Sequence, residues 1–299
     1  LSTQPTPPPL NWGAESLWLA LEPLLPGLSV EVVAQIGSTN TELLARARQA
    51  PADAHKPALL VAAQQTAGRG RQGKAWQSAA GASLTFSLAL PLAPADWSGL
   101  SLAVGLALAG ALDPAPAAAA PRLGLKWPND LILLDDGGRA PHIGRKLGGI
   151  LIETVQVADQ RIAVIGIGLN IHPQPASRAP DTAAPHLAWG FGCVQELRPD
   201  LDAPGTLALV AAPLALALRD FEALGFAPLQ PAFARRDVLA GRAVSTSLPG
   251  LQKLSHGQAD GVDATGTLWL QTPGGRRPVA SGEVSLTPLA AGPADTAAC

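Results

Sequence analysis

LGGILIETVQV (Leu147–Val157) and IAVIGIGL (Ile162–Leu169) carry the reading of the fold. Both runs are long and rich in β-branched and aliphatic residues, and the polar turn Ala158, Asp159, Gln160 lies between them. That pattern predicts two strands. Upstream, Leu123–Lys126 and Leu131–Leu134 read as short strands around a polar turn, and Asp135–Gly144 as an excursion rich in Gly and charge. Ser98–Leu112 reads as a helix stopped by Asp113 and Pro114. Ser83–Leu90, Ala58–Gln64 and Leu28–Ile36 read as strands, and Glu15–Leu21 as a short helix. Thr41–Gln49 is a helix whose Leu43, Leu44 and Ala47 share a face, with caps among Ser38 to Asn40. Downstream, residues 173–186 read as an irregular Pro/Ala-rich loop and Thr206–Leu224 as a long helix. The composition shifts near Asp237–Gly241. Beyond it, Arg242–Ser247, Gly257–Val262, Leu268–Gln271, Arg276–Ala280 and Glu283–Leu286 alternate with Gly/Asp turns, the signature of a small β-barrel.

The chain has 299 residues, 47% apolar and 15% charged, which suffices for a large core and a second small unit. The net charge is −2, so no global basic field points to nucleic acid. Cys193 and Cys299 are too few for a disulfide framework or a thiolate zinc site. The longest apolar runs, Leu100–Leu112 and Leu207–Leu218, fall short of the roughly 20 residues a membrane-spanning helix needs. The Pro-rich start (LSTQPTPPPL) has no signal-peptide pattern, so the expected compartment is the cytoplasm.

Four segments carry chemistry. GRGRQGK (Gly68–Lys74) sets Arg69, Arg71 and Lys74 on a backbone loosened by glycines. Such a loop suits an anion and is expected to order on ligand binding, or it is a solvated basic hairpin. It lacks the Walker A spacing. KWPND (Lys126–Asp130) displays a cation, an amide and a carboxylate on one rigid turn, a set suited to a polyphosphate with magnesium. The plain alternative is a turn around a buried Trp. Lys146 precedes Gly148 and Gly149, which leave room for a ligand against bare backbone, or mark a bulge with an exposed Lys. GIGLN (Gly166–Asn170) interrupts a strand with alternate glycines, which implies a close approach to ligand or to a packed element. The histidines (His55, His142, His172, His186, His256) are scattered and read as loop residues.

In this order, with Gly37–Asn40 ahead of them, the segments resemble the biotin protein ligases (biotin–[acetyl-CoA carboxylase] ligases), from about residue 30 to the SGEVSL stretch at Ser281–Leu286. The resemblance implies an α+β fold. A mixed sheet has helices on one side, like the class II synthetases, and a small SH3-like barrel follows. The implied boundaries are 1–28 extension, 29–236 catalytic domain, 237–288 SH3-like domain and 289–299 tail. It implies that Ser38, Thr39 and Gln65 contact biotin, with Asn40 in the same binding set. Gly68, Arg69, Gly70 and Arg71 would close over biotin and the adenylate, and Gly149 and Gly166 would wall the biotin site. Lys146 would reach the biotin carboxylate and the activated phosphate, and Trp76 would pack by the nucleotide. Lys126, Asn129 and Asp130 match the ATP end, with Asp130 as a magnesium ligand, and Asn170 a position near the adenylate. The catalytic set is Arg71, Lys146, Lys126 and Asp130. Lys74 stands where Arg is common, keeping the charge but losing the bidentate fork. Gly148 stands where Ala is common, and the excursion at Asp135–Arg145 is longer than the minimal family version.

The implied reaction activates biotin with ATP and transfers it to a lysine of a biotin carboxyl carrier domain of a carboxylase. A carboxylate with a reference pKa of about 4 needs no base, only charge neutralisation and alignment. That suits a site of arginines and lysines without a nucleophile. The alternatives are a lipoate protein ligase, a non-catalytic biotin- or carrier-binding protein, and a DNA-binding repressor. About 28 residues precede the first strand, fewer than a helix-turn-helix module takes, so no DNA partner is expected. No membrane partner is expected either; a homodimer is open.

Overall fold

The two founding runs form one antiparallel hairpin, paired from Gly148 with Leu169 to Val157 with Gln160. In the computed structural model, which describes residues 10–50, 53, 55–116, 119–135, 144–173, 190–247, 254–279 and 285–288, this hairpin lies inside a seven-stranded sheet. The elements are α1 (Ala14–Leu21), β1 (Ser29–Ile36), α2 (Thr39–Gln49), β2 (Ala58–Gln65), β3 (Gly68–Arg69), β4 (Ala75–Trp76), β5 (Ser83–Pro91) and α3 (Leu100–Leu112). There follow β6 (Leu123–Lys126), β7 (Asp130–Leu133), β8 (Arg145–Val157), β9 (Gln160–Asn170), α4 (Ala203–Leu224) and α5 (Gln230–Ala234). The last five strands are β10 (Ala243–Ser247), β11 (Leu254–Val262), β12 (Leu268–Thr272), β13 (Gly275–Val279) and β14 (Ser285–Pro288). Outside the described residues lie the Pro-rich start, most of the Asp135–Arg145 excursion and all but residue 173 of the expected loop at 173–186. So do His142, His186, Cys299 and part of the closing motif near 281–284.

The sheet runs β1-β2-β5-β9-β8-β7-β6, with β1 and β2 parallel and the other pairs antiparallel. Alternation along each strand divides the apolar residues between two faces. Leu59, Val61, Phe86, Leu88, Ile165 and Ile167 meet α1, α3 and α4 in the main core. Leu60, Ala89, Ile162 and Val164 meet Leu43, Leu44 and Ala47 of α2 on the other face. The expectation of helices on one side therefore holds for three helices, while α2 packs opposite. α3 is apolar all round because the sheet and α4 both cover it. No helix among the described residues is long and apolar enough to cross a membrane.

β10 to β14 form a five-stranded antiparallel sheet in the order β13-β12-β11-β10-β14. Among the described residues this sheet does not close on itself, with β13 and β14 at its edges, and it is compatible with the expected small barrel. Its Val244, Ala259, Leu268 and Leu270 belong to the same core as α3 and α4.

Candidate functional site

Lys146 owes its direction to one inserted residue. Leu131 pairs with Gly148 but Ile132 with Lys146, so Leu147 is a bulge in β8. The bulge breaks the alternation. Leu147 and Ile150 both enter the core, while Lys146 and Gly149 both turn toward Asp130. Lys146 Nζ donates to Asp130 Oδ1 at 2.6 Å. Asp130 faces Lys126 across the β6–β7 pair and acts electrostatically on Arg71, Lys74 and Lys126. Burial is the leading influence on all three and pushes each below its ordinary range; Lys146 lowers Lys74 and Lys126 further. Four cations from the loop, β6 and β8 thus gather around one aspartate, from the buried Lys126 to the exposed Lys74. A strongly anionic ligand suits such a cluster.

A polar chain adjoins it. Ser38 caps α2 through Thr41 N–H at 3.4 Å. Gln65 Oε1 accepts from Thr39 N at 2.7 Å and from its hydroxyl at 3.1 Å. The Thr39 and Ser87 hydroxyls share a bond of 2.7 Å, and Ser87 donates to Asn40 Oδ1 at 2.6 Å. Asn40 Nδ2 donates to Leu151 O and Glu153 Oε2, both at 3.1 Å. Glu153 Oε1 takes Arg69 at 2.9 Å, and Arg69 also reaches Thr41 Oγ1. The glycine loop folds into a two-stranded ribbon of β3 and β4, and Trp76 from it lies on Gly168. A Cβ at Gly168 would stand 2.4 Å from that ring, and one at Gly166 only 2.2 Å from Asn40 Oδ1. These two glycines therefore admit α2 and the ribbon to the sheet.

Several expected contact residues turn out to brace the site. Asn170, 5% exposed, spends its amide nitrogen on the carbonyls of Lys146 (3.2 Å) and Gly192 (3.1 Å). Asn129 donates to Ile150 O at 2.8 Å and so ties the turn to β8. Gly148 does not open room for a ligand: it faces Leu169, 2.5 Å from where its Cβ would be. Gly149 lies against the side chains of Lys146 and Asp130, each 3.5 Å from where its Cβ would be.

Two models of known families match the chain: the Biotin/lipoate A/B protein ligase family over residues 32–170, and the Biotin protein ligase C terminal domain over 241–287. The biotin–[acetyl-CoA-carboxylase] ligase of Mycobacterium tuberculosis is 34% identical over 85% of this chain and 88% of that protein. The chain belongs to the biotin/lipoate A/B protein ligase family. Another relative of this ligase chain, the bifunctional ligase/repressor BirA of Escherichia coli, is 35% identical over 88% of this chain and 75% of that protein. The biotin protein ligase of Aquifex aeolicus, solved with biotin and ATP, shares the fold (TM-score 0.64, 24% identity, 87% and 99% of the two chains).

The ligase's sequence reading missed the brace around Lys146. Arg145 binds Asp135 at 2.9 Å and Glu196 at 2.7 Å. The Arg145 guanidinium holds the Glu196 carboxyl below the usual range. This fastens the segment whose Gly190 O accepts from Lys146 N and whose Gly192 N donates to Lys146 O. Glu153 and Ser87 were also missed. Glu153 lies inside the LGGILIETVQV run, where a lone acid amid apolar strand residues was the available signal.

Proposed function

We propose that the protein is an ATP-dependent ligase that activates biotin as biotinyl-5′-AMP and transfers biotin to one lysine of a biotin carboxyl carrier domain. In this reading residues 29–236 form the catalytic unit and 237–288 the C-terminal unit. What carries it is the gathering of Arg71, Lys74, Lys126 and Lys146 around Asp130, beside the Thr39–Gln65 pair and on the same face of the sheet.

In the first step a carboxylate oxygen of biotin attacks the α-phosphorus of ATP and pyrophosphate leaves. In the second, a lysine amine attacks the acyl carbonyl, loses a proton and displaces AMP. Both partners of the first step are anions, so the barrier is lowered by fixed positive charge in a partly water-excluded site. Arg71 and Lys146 meet the carboxylate and α-phosphate, and Lys74 and Lys126 the outer phosphates. Asp130 holds Lys146 in place. Trp76 Nε1, buried and without a partner among the described residues, is a donor suited to the nucleotide. Among the described residues no three His, Cys, Asp or Glu side chains gather as a metal cage. Magnesium arriving on a triphosphate is held through the phosphates with one or two carboxylates, and Asp130 would be such a ligand. The ion, when bound, neutralises phosphate charge.

Incubation with biotin, MgATP and a biotin carboxyl carrier domain tests the reading. The expected result is biotin-dependent pyrophosphate release and one biotinylated acceptor lysine. Release with lipoate in place of biotin, or none with either, overturns it.

A further inference from the structure

The C-terminal sheet reaches the Lys126–Asp130 turn directly. Trp127, 2% exposed, donates its indole N–H to Gly266 O at 3.0 Å, a buried bond between residues 139 apart in sequence. Gly266 sits in the turn joining β11 to β12, with φ at +81°. A Cβ there would stand 2.7 Å from Gly99 Cα, at the start of α3. Only glycine meets both conditions without displacement.

Asp263 builds this turn. Its Oδ1 accepts from Thr265 N (2.8 Å), Thr265 Oγ1 (2.7 Å) and Thr267 N (3.1 Å), and its Oδ2 from Trp269 Nε1 (2.8 Å). The backbone closes it: Gly266 N donates to Asp263 O at 2.9 Å, and Asp263 N to Thr267 O at 3.0 Å. The residues entering the C-terminal unit clamp the same hairpin along its side. Leu125 N donates to Arg236 O at 2.7 Å, Val238 N to Leu125 O at 3.1 Å, and Arg236 binds Asp113 at 3.0 Å. The strand ending in Lys126 is therefore held along its edge by residues 236–238 and at its tip by Gly266.

We propose that Asp263 and Gly266 are positioning residues for adenylation: their turn, through Trp127, sets the place of Lys126 and Asp130. The assignment of nucleotide to those two side chains rests on the ligase reading; the mechanical coupling does not.

The test uses the full chain with Trp127→Phe, Asp263→Ala, Asp263→Asn and the double variant Trp127→Phe/Asp263→Ala. Two things are measured: hydrogen exchange of the amides at 125–133 without ligand, and KM for MgATP and for biotin in pyrophosphate release. Losing one buried hydrogen bond predicts about a threefold to tenfold rise in exchange and in KM for MgATP. KM for biotin rises by less than KM for MgATP, since the Thr39–Gln65 pair is untouched and the disturbance reaches the carboxylate only through Lys146, held by Asp130. The double variant is no worse than Trp127→Phe, and Asp263→Asn, which keeps the Oδ1 acceptor, restores most of the loss. If Asp263→Ala loses protection throughout β11 and β12, Trp127→Phe and Asp263→Asn decide. Unchanged exchange at 125–133 in Trp127→Phe, or equal shifts in both KM values, overturns the proposal. Raised exchange in a protein that releases no pyrophosphate overturns the ligase reading and leaves the coupling standing.

Discussion

Lys126 is where burial and charge are most opposed. Removal from water lowers its proton affinity first, Asp130 raises it, and Lys146 and Lys74 lower it again. Its folded-state pKa lies below the unfolded value of 10.5, so the unfolded chain binds that proton more tightly. Burial of Lys126 therefore opposes folding below 10.5, and the opposition fades as pH rises from the folded pKa toward that value. Lys126→Met is accordingly expected to raise Tm at pH 7 while adenylation slows about 100-fold, measured by thermal unfolding and pyrophosphate release. Arg71→Ala and Lys146→Ala are expected to slow pyrophosphate release by about 100-fold or more with Tm nearly unchanged. Wild-type rates in either variant would remove that residue from the catalytic set. The residue types of this cluster were legible in the sequence, because charge on glycine-rich turns is conspicuous. Which amides would serve as braces was not, since Asn170 and Asn129 look alike whether they face a ligand or a backbone carbonyl.

At the scale of elements, β8 and the β3–β4 ribbon divide the work. The bulge at Leu147 aims Lys146, and Glu153, six residues after it, holds the ribbon through Arg69. The ribbon has little burial of its own, so this ion pair and the seat of Trp76 on Gly168 keep it closed. Glu153→Gln is expected to speed tryptic cleavage after Arg69, Arg71 or Lys74 about threefold and to raise KM for biotin. A cleavage rate equal to wild type, with or without biotin, would discard the latch. The strands and helices themselves were read from the sequence to within a few residues: Ala58–Gln64 against Ala58–Gln65, Ser98–Leu112 against Leu100–Leu112. The ribbon and α5 escaped, being two and five residues long, too short to show a period.

Across the whole molecule, the junction before the C-terminal sheet stores a cost. Asp237 sits between Leu125 and Val238 with Oδ2 buried and without a partner among the described residues, and burial pushes its carboxyl up to about 6. A raised folded-state value means that the stability it confers is full below the unfolded value of 3.8 and is lost as pH climbs to about 6. Above that, ionisation costs the fold roughly 2–3 kcal/mol. Asp237→Asn is expected to gain Tm over wild type between pH 5 and 7.5, with little difference at pH 4; a difference independent of pH would contradict this. Which segments are strands, which turns carry charge and which glycines interrupt a strand follow from local chemistry, because backbone preference and alternation act over a few residues. That α2 lies opposite the other helices, that Lys146 faces Asp130, and that Gly266 supports Trp127 depend on contacts between distant segments. Such contacts are set by how the faces pack, and no short-range pattern encodes which buried donor will meet which carbonyl.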